Sequence, residues 1–342
     1  MNEIEIAGKL ILDPRMRETL KEIKDKGIRI PHEKQTVTVD LQNYKFPEGN
    51  AILKIVGNGL NTVPLNPRKG EGYIKSGERR AIFAYDESID KYQCIEGTAY
   101  ITAHSLVKLG MNEYIPLGYL TTYFYTRAKE LTKNTEALRY SDRIEVESQR
   151  DYVLDKIELL QKYVEDQAIV LIDGPLIGGD VYIHMIQAMK NFEGREVIPI
   201  FFVKNSNSNL VVDNIDVLKG KYNSDLHWAH ETLRRGERTN FFCYTDQVNE
   251  RNAKVFCYVR LFEGSPQRVE FFVDTYQNHI SEIQNFMDLI AYMAIVQGEV
   301  KNPQIRLIAI AEKYAREYIK LANIKSLLKK LGLTPTVNSE RF

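Results

Sequence analysis

The sequence predicts an α/β protein, a mixed sheet flanked by helices, with a small β-rich N-terminal module and a helical C-terminal region. Three observations carry this. AIVLIDGPL, Ala168 to Leu176, is an apolar, β-branched run that stops at Asp173-Gly174-Pro175, as a central strand does on leaving a sheet buried on both faces. Arg143 to Val164 carries apolar residues at Val146, Val153, Ile157, Leu160 and Val164, so an amphipathic helix precedes that strand. The chain beyond Ser281 reads as helix, broken at Asn302-Pro303.

Residues 1–80 form the leading module. A helix over Arg15 to Lys26 stops at Gly27, and the alternating stretches TVTVDLQ and AILKIVGNG follow, interrupted by Pro and Gly. Pro64 to Arg80 is basic and turn-rich, a loop or linker able to touch phosphate or simply to sit in solvent. The main domain covers residues 81–331. AIFAYDES is a strand carrying Asp86, with a turn over Ile89 to Tyr92, and QCIEGTAYITAHSLV doubles back as its hairpin partner. Leu120 to Leu138 reads as a helix, followed by the one ending at Val164. After the central strand, Gly178-Gly179 leads into a helix over Asp180 to Phe192, and EVIPIFFV is another buried strand ending in Lys204-Asn205-Ser206. Residues 207–240 mix helix and loop. TNFFCYTD, AKVFCYVRLFE and RVEFFVD are strands, and helices cover Ser281 to Val296 and Arg306 to Leu331. The tail, 332–342, is expected to fray.

Composition narrows the function. Lys plus Arg equals Asp plus Glu at 46 each, so no global field draws in nucleic acid, and any basic groove is local. Cys94, Cys243 and Cys257 form no C-x-x-C pair and sit among apolar neighbours, which reads as reduced core thiols in a cytoplasmic protein. There is no basic and apolar leader at the N-terminus and no run of 18 apolar residues, so neither signal peptide nor membrane span is expected. The chain contains neither the G-x-x-x-x-G-K-[ST] of a P-loop nor the G-x-S-x-G of a serine hydrolase.

The candidate chemistry is acidic. Asp173 is delivered to the C-terminal edge of the central strand, where ligands of open sheets collect, although Asp-Gly-Pro also makes ordinary turns. Asp86 lies on the first hairpin strand and Glu147 on the flank of the helical stripe, with Glu145 and Asp151 as rivals for its place. Carboxylates from separate elements are what two-metal phosphodiester hydrolysis requires, with ions roughly 4 Å apart. Lys204, at another strand end, suits a phosphate as a point charge or merely caps its strand. His227, His230 and Glu231 could place two imidazoles on one helical face, as in a zinc site, or form a half-buried helix face; His104 and His184 read as core histidines.

In the order of these motifs the chain resembles the NurA family, the nucleases that partner the HerA hexameric translocase in DNA end resection. The resemblance spans Ala81 to Glu317 and is carried by LIDGPL (Leu171–Leu176), IFFVKNS, ending at Ser206, and YVRLFEGSPQRVEFF (Tyr258–Phe272). It implies an RNase H-like core, a homodimer, and a Mn²⁺- or Mg²⁺-dependent nuclease on double-stranded DNA ends and single-stranded DNA, working with a HerA-like hexameric ATPase. Asp86, Glu147 and Asp173 take the catalytic and metal positions, and Lys204 neutralises a backbone phosphate. Two departures stand out. Glu87-Ser88 follows Asp86 where the family has Gly-Ser, and Asn302 and Ile310 occupy the late Tyr and His positions, with Glu312 or Glu317 as substitutes on the same helix. A catalytically inactive DNA-binding adaptor of such a translocase is the alternative.

Overall fold

The run Ile169–Asp173 forms β8, at the centre of the computed structural model. The structure describes residues 14–26, 43–45, 51–57, 59–76, 80–111, 113–133, 138–176, 190–247, 252–297 and 304–337. Two compact units divide it, Met1–Gln35 and Thr36–Phe342. The first contains α1 (Pro14–Lys26), and everything below concerns the second.

β8 lies between two parallel neighbours, β4 (Ile82–Cys94) and β9 (Ile198–Val203). Beyond β4 the sheet continues antiparallel through β5 (Gly97–Leu109) and β6 (Tyr114–Thr126), then parallel to β7 (Leu138–Tyr140). Beyond β9 come β13 (Gln267–Phe271), β12 (Ala253–Arg260), β11 (Phe241–Asp246), β2 (Ala51–Val56) and β1 (Asn43–Lys45), all antiparallel. β10 (Glu237–Thr239) pairs with β12 and with β3 (Thr62–Pro64), completing thirteen strands among the described residues.

Helices cover both faces. α3 (Ile144–Tyr163) packs Val153, Ile157 and Leu160 against Phe83, Tyr85, Val170 and Ile172. The opposite face, with Ile82, Ala84, Ile169 and Leu171, meets α6 (Ile283–Gln297) and α7 (Arg306–Ala322). Strand side chains alternate, so odd residues of β4 face α3 and even residues face α7. α2 (Pro67–Lys75) contributes Tyr73 and Ile74 to the α6–α7 core, which also takes in Val273 and Tyr276 of α5 (Val273–Asn278). α4 (Asp225–Thr232) buries Trp228 and Ala229 on Leu53, Phe242 and Phe256. The last helix, α8 (Ile324–Lys330), follows Asn323, whose left-handed φ of 46° ends α7. No described helix is long and apolar enough to cross a membrane.

Several elements differ from the sequence reading. The predicted helix over Leu120–Leu138 is the second half of β6, a 3₁₀ turn at Lys129–Thr132 and the start of β7. Pairing of β6 with β5 over twelve positions outweighs the helix formers in that stretch, and the Thr- and Tyr-rich part is β-prone in any case. β4 runs through the predicted turn at Ile89–Tyr92 to Cys94, and the hairpin turns at Ile95-Glu96 instead. The basic loop contains α2, begun by the Asn66 side chain accepting from the Arg68 (3.1 Å) and Lys69 (3.4 Å) amides. Across residue 80 the sheet is continuous, because β2 pairs with β11 over six residues. Thr334 and Thr336 bond to the backbone of Ile95 and Gln93, so that part of the tail is tied to the end of β4. TVTVDLQ, most of the Asp180–Phe192 helix, His184 and Asn302 lie outside the described residues.

Candidate metal centre

β8 and β9 stop at Asp173 and Val203 while β4 continues to Cys94. This step in the sheet exposes three adjacent parallel strands just where each carries a polar residue. Register aligns Tyr85 with Ile172 and Asp173 with Phe202, and alternation turns Asp86, Asp173 and Lys204 to the α7 face. Gly174, at φ 108°, turns the chain away at once and donates its N–H to Phe202 O (2.8 Å). An L residue would be strained there, which explains the glycine after the aspartate.

α7 supplies the fourth group. It presses Leu307, Ile308, Ala311 and Ala315 into the core, and Glu312, adjacent to Ala311, emerges at the strand ends. Asp86, Asp173 and Glu312 each offer a carboxylate oxygen within 4.8 Å of the others, the one such group of His, Cys, Asp and Glu among the described residues. Lys204 Nζ lies 2.5 Å from Asp173 Oδ2 and 3.4 Å from Glu312 Oε2. Glu312 also accepts from Gln304 Nε2 (2.8 Å) and from the Arg316 guanidinium.

Asp86, only 8 % exposed, feels its surroundings most. Burial, then repulsion from Asp173 and Glu87, raises its carboxyl to about 8, against a weaker pull from the Glu87 amide and Lys204. Burial opposes the Lys204 charge, but Asp173, Glu312 and Asp86 together hold that ammonium above its ordinary range. Burial also opposes ionisation of Glu312, yet Gln304, Lys204 and Arg316 outweigh it and keep the carboxyl below the usual range. Three hard oxygen donors within 4.8 Å of one another could hold a divalent metal ion.

The loops behind the cluster are held by a buried polar network. Fully buried Glu270 accepts from the Leu176 amide (2.7 Å), Lys254 Nζ (2.6 Å) and Arg268 Nε (2.7 Å). Arg268 donates onward to Ser206 Oγ (2.8 Å) and Ser208 Oγ (2.6 Å). Ser208 and Tyr258 both donate to Asp225, which also accepts from the Val211 and Val212 amides. One network therefore fixes the chain just after Asp173 and just after Lys204.

Of the residues singled out from the sequence, Asp86, Asp173 and Lys204 are brought together. Glu147 is not among them: half-exposed in the first turn of α3, it sits 3.9 Å from Arg150. The reason is the pleat, since α3 packs on the face of β4 opposite to Asp86. It is Glu87 that faces α3, accepting from Tyr152 (3.0 Å) and lying 3.7 Å from Lys156. Glu145 pairs with Lys91 (2.8 Å), and buried Asp151 is taken by Tyr125 and Arg139 (2.6 Å). Glu317 pairs with Lys320, and Ile310 packs on the α6–α7 core. His227 Nδ1 accepts from the Asn223 amide, and His230 contacts Glu231 and Arg260. No third ligand joins them among the described residues. His104 is fully buried, bonded to Tyr85 (2.7 Å), and pushed down to about 3 by burial and Lys156. The three cysteines are unpaired, two of them buried.

The family model described as the NurA domain matches residues 71–317. The NurA nuclease from Sulfolobus solfataricus shares the fold: 12 % identity, 93 % of this chain and 98 % of that chain covered, TM-score 0.51. A structure of NurA with manganese matches at 7 % identity over 77 % and 96 %, TM-score 0.37. Endonuclease V from Bacillus subtilis matches at 8 % over 78 % and 88 %, TM-score 0.35. No curated protein matches by sequence.

Proposed function

The chain belongs to the NurA family, and from that premise we propose that it is a metal-dependent DNA nuclease whose centre is the step where β8 and β9 end beside β4. The observation that carries the reading is the convergence of Asp86, Asp173 and Glu312 with Lys204 beside them. Asp86, Asp173 and Glu312 would hold Mn²⁺ or Mg²⁺, which when bound polarises a phosphodiester and makes a water acidic enough to attack it. Burial, then Asp173 and Glu87, favours the protonated form of the Asp86 carboxyl, and a cation held there would favour the ionised form. Asp173, anchored through the amides of Gly174 and Leu176, holds its oxygens in place. Lys204 presents a positive charge to the phosphate oxygens.

DNA, as double-stranded ends or single strands, would lie across the strand ends. A homodimer and a HerA-like hexameric ATPase are the partners that family membership suggests. Glu312 answers the missing late histidine, because it puts a carboxylate from the C-terminal helix at the strand ends.

The test is cleavage of end-labelled linear and single-stranded DNA by wild type and Asp173→Ala, with Mn²⁺, Mg²⁺ or EDTA. Cation-dependent cutting that disappears in a folded Asp173→Ala protein is the expected result. Cutting that survives the substitution would refute the assignment. No cutting under any condition, with DNA and a HerA-like ATPase still bound, would make the chain a non-catalytic adaptor.

A further inference from the structure

Resting on that reading, we infer that the cluster takes one divalent cation, and that the Lys204 ammonium fills the place a second would occupy. Two ions around one phosphate bring four positive charges, which the carboxylates and the phosphate together must offset. Here, with Asp86 ionised as a filled site needs, Asp86, Asp173 and Glu312 contribute three negative charges, already met by two positive ones, Lys204 on Asp173 and Glu312 and Arg316 on Glu312. The balance is −1. One divalent ion takes it to +1, which suits a phosphodiester anion, and a second would take it to +3.

Among the described residues, nearby acids do not close that gap. Glu87 turns to the other face of β4 toward Lys156 and Tyr152, Glu147 sits beside Arg150 on α3, and Glu317 pairs with Lys320. Lys204, by contrast, is built in: it follows the last residue of β9 and reaches both Asp173 and Glu312, its side chain 29 % exposed. A compact ammonium with three donors can touch two carboxylates and still meet a phosphate oxygen. It is therefore a catalytic residue in its own right, giving the charge stabilisation that a second ion gives elsewhere.

The test measures binding as well as cutting. Full-length wild type, Lys204→Met and the more polar Lys204→Gln are titrated with Mn²⁺ by calorimetry and by low-temperature electron paramagnetic resonance, alongside cleavage of labelled DNA. Wild type should bind one Mn²⁺ per chain and give the signal of an isolated ion. Both variants should bind Mn²⁺ roughly tenfold more tightly, since a competing positive charge is gone even at the dielectric of water. Both should cleave roughly a hundredfold more slowly at saturating Mn²⁺, the size of losing one preorganised stabilising group. Two ions per chain, or an exchange-coupled pair, would overturn the inference and leave the nuclease reading standing. Weaker Mn²⁺ binding in both variants would also overturn it, by making Lys204 a structural prop. A wild type that binds no Mn²⁺ would overturn the nuclease reading itself.

Discussion

Replacing Asp86 by Asn should stabilise the cation-free protein, and by an amount that grows with pH. Asp86 gives up its proton near 3.8 when unfolded and near 8 when folded, because of burial first, then Asp173 and Glu87. Between those values the native state binds more protons than the unfolded state, so stability falls as pH rises. Each tenfold step of acidity is worth ~1.4 kcal/mol, which sets a ceiling of roughly 6 kcal/mol once pH exceeds 8. Asn keeps the shape and the acceptor that Glu87 N–H uses (2.8 Å) but removes the charge. The lost attraction to Lys204 and the cost of a buried carboxamide return part of the gain, leaving about 3 kcal/mol at pH 9 and little at pH 4.5. With an unfolding entropy of ~2.1 cal/mol/K per residue, that is a rise in Tm of about 4 °C.

The assay is thermal unfolding of wild type and Asp86→Asn in EDTA between pH 4.5 and 9, repeated with Mn²⁺. Added Mn²⁺ should raise the Tm of wild type, since a ligand bound only to the native state stabilises it, and should not raise that of the variant. A gain independent of pH, or a loss at pH 9, would refute the argument that Asp86 is held protonated by its neighbours.

Two other substitutions separate the structural assignment from its rivals. Glu312→Gln should abolish Mn²⁺ binding and DNA cleavage, whereas Glu147→Gln should change cleavage less than about twofold, both read on labelled DNA under the same conditions. Glu270→Gln should destabilise the fold by about 3–5 kcal/mol in urea unfolding, because Lys254 and Arg268 then share a buried pocket with no anion.

Much of this was legible in the residues themselves, and for physical reasons. β8 and β9 are buried on both faces, so their sequences are unbroken apolar runs, and the polar residue that ends β8 or follows β9 marks where the chain leaves the sheet. Asp173 and Lys204 follow from that alone. β6 was not legible, since a half-exposed strand in which Pro116 and Gly118 precede Tyr and Thr has neither clean alternation nor a continuous core run. Glu147 illustrates a different limit. The helical stripe correctly locates the face of α3 that is buried, but only the pleat of β4 tells which side of the sheet Asp86 addresses. That depends on whether β4 is counted from Ile82 or one residue later, and a shift of one residue reverses the answer.

Glu312 was hidden for a related reason. Ile310, the position matched to the late family histidine, lies two residues before Glu312, about 200° around the helix. Ile310, partly buried, therefore packs against the α6–α7 core. Glu312 instead sits next to Ala311, on the flank of the buried stripe that passes over Asp86 and Asp173. From that flank Glu312 reaches the sheet step, where its carboxylate lies 3.4 Å from Lys204 and offers an oxygen within 4.8 Å of those of Asp86 and Asp173.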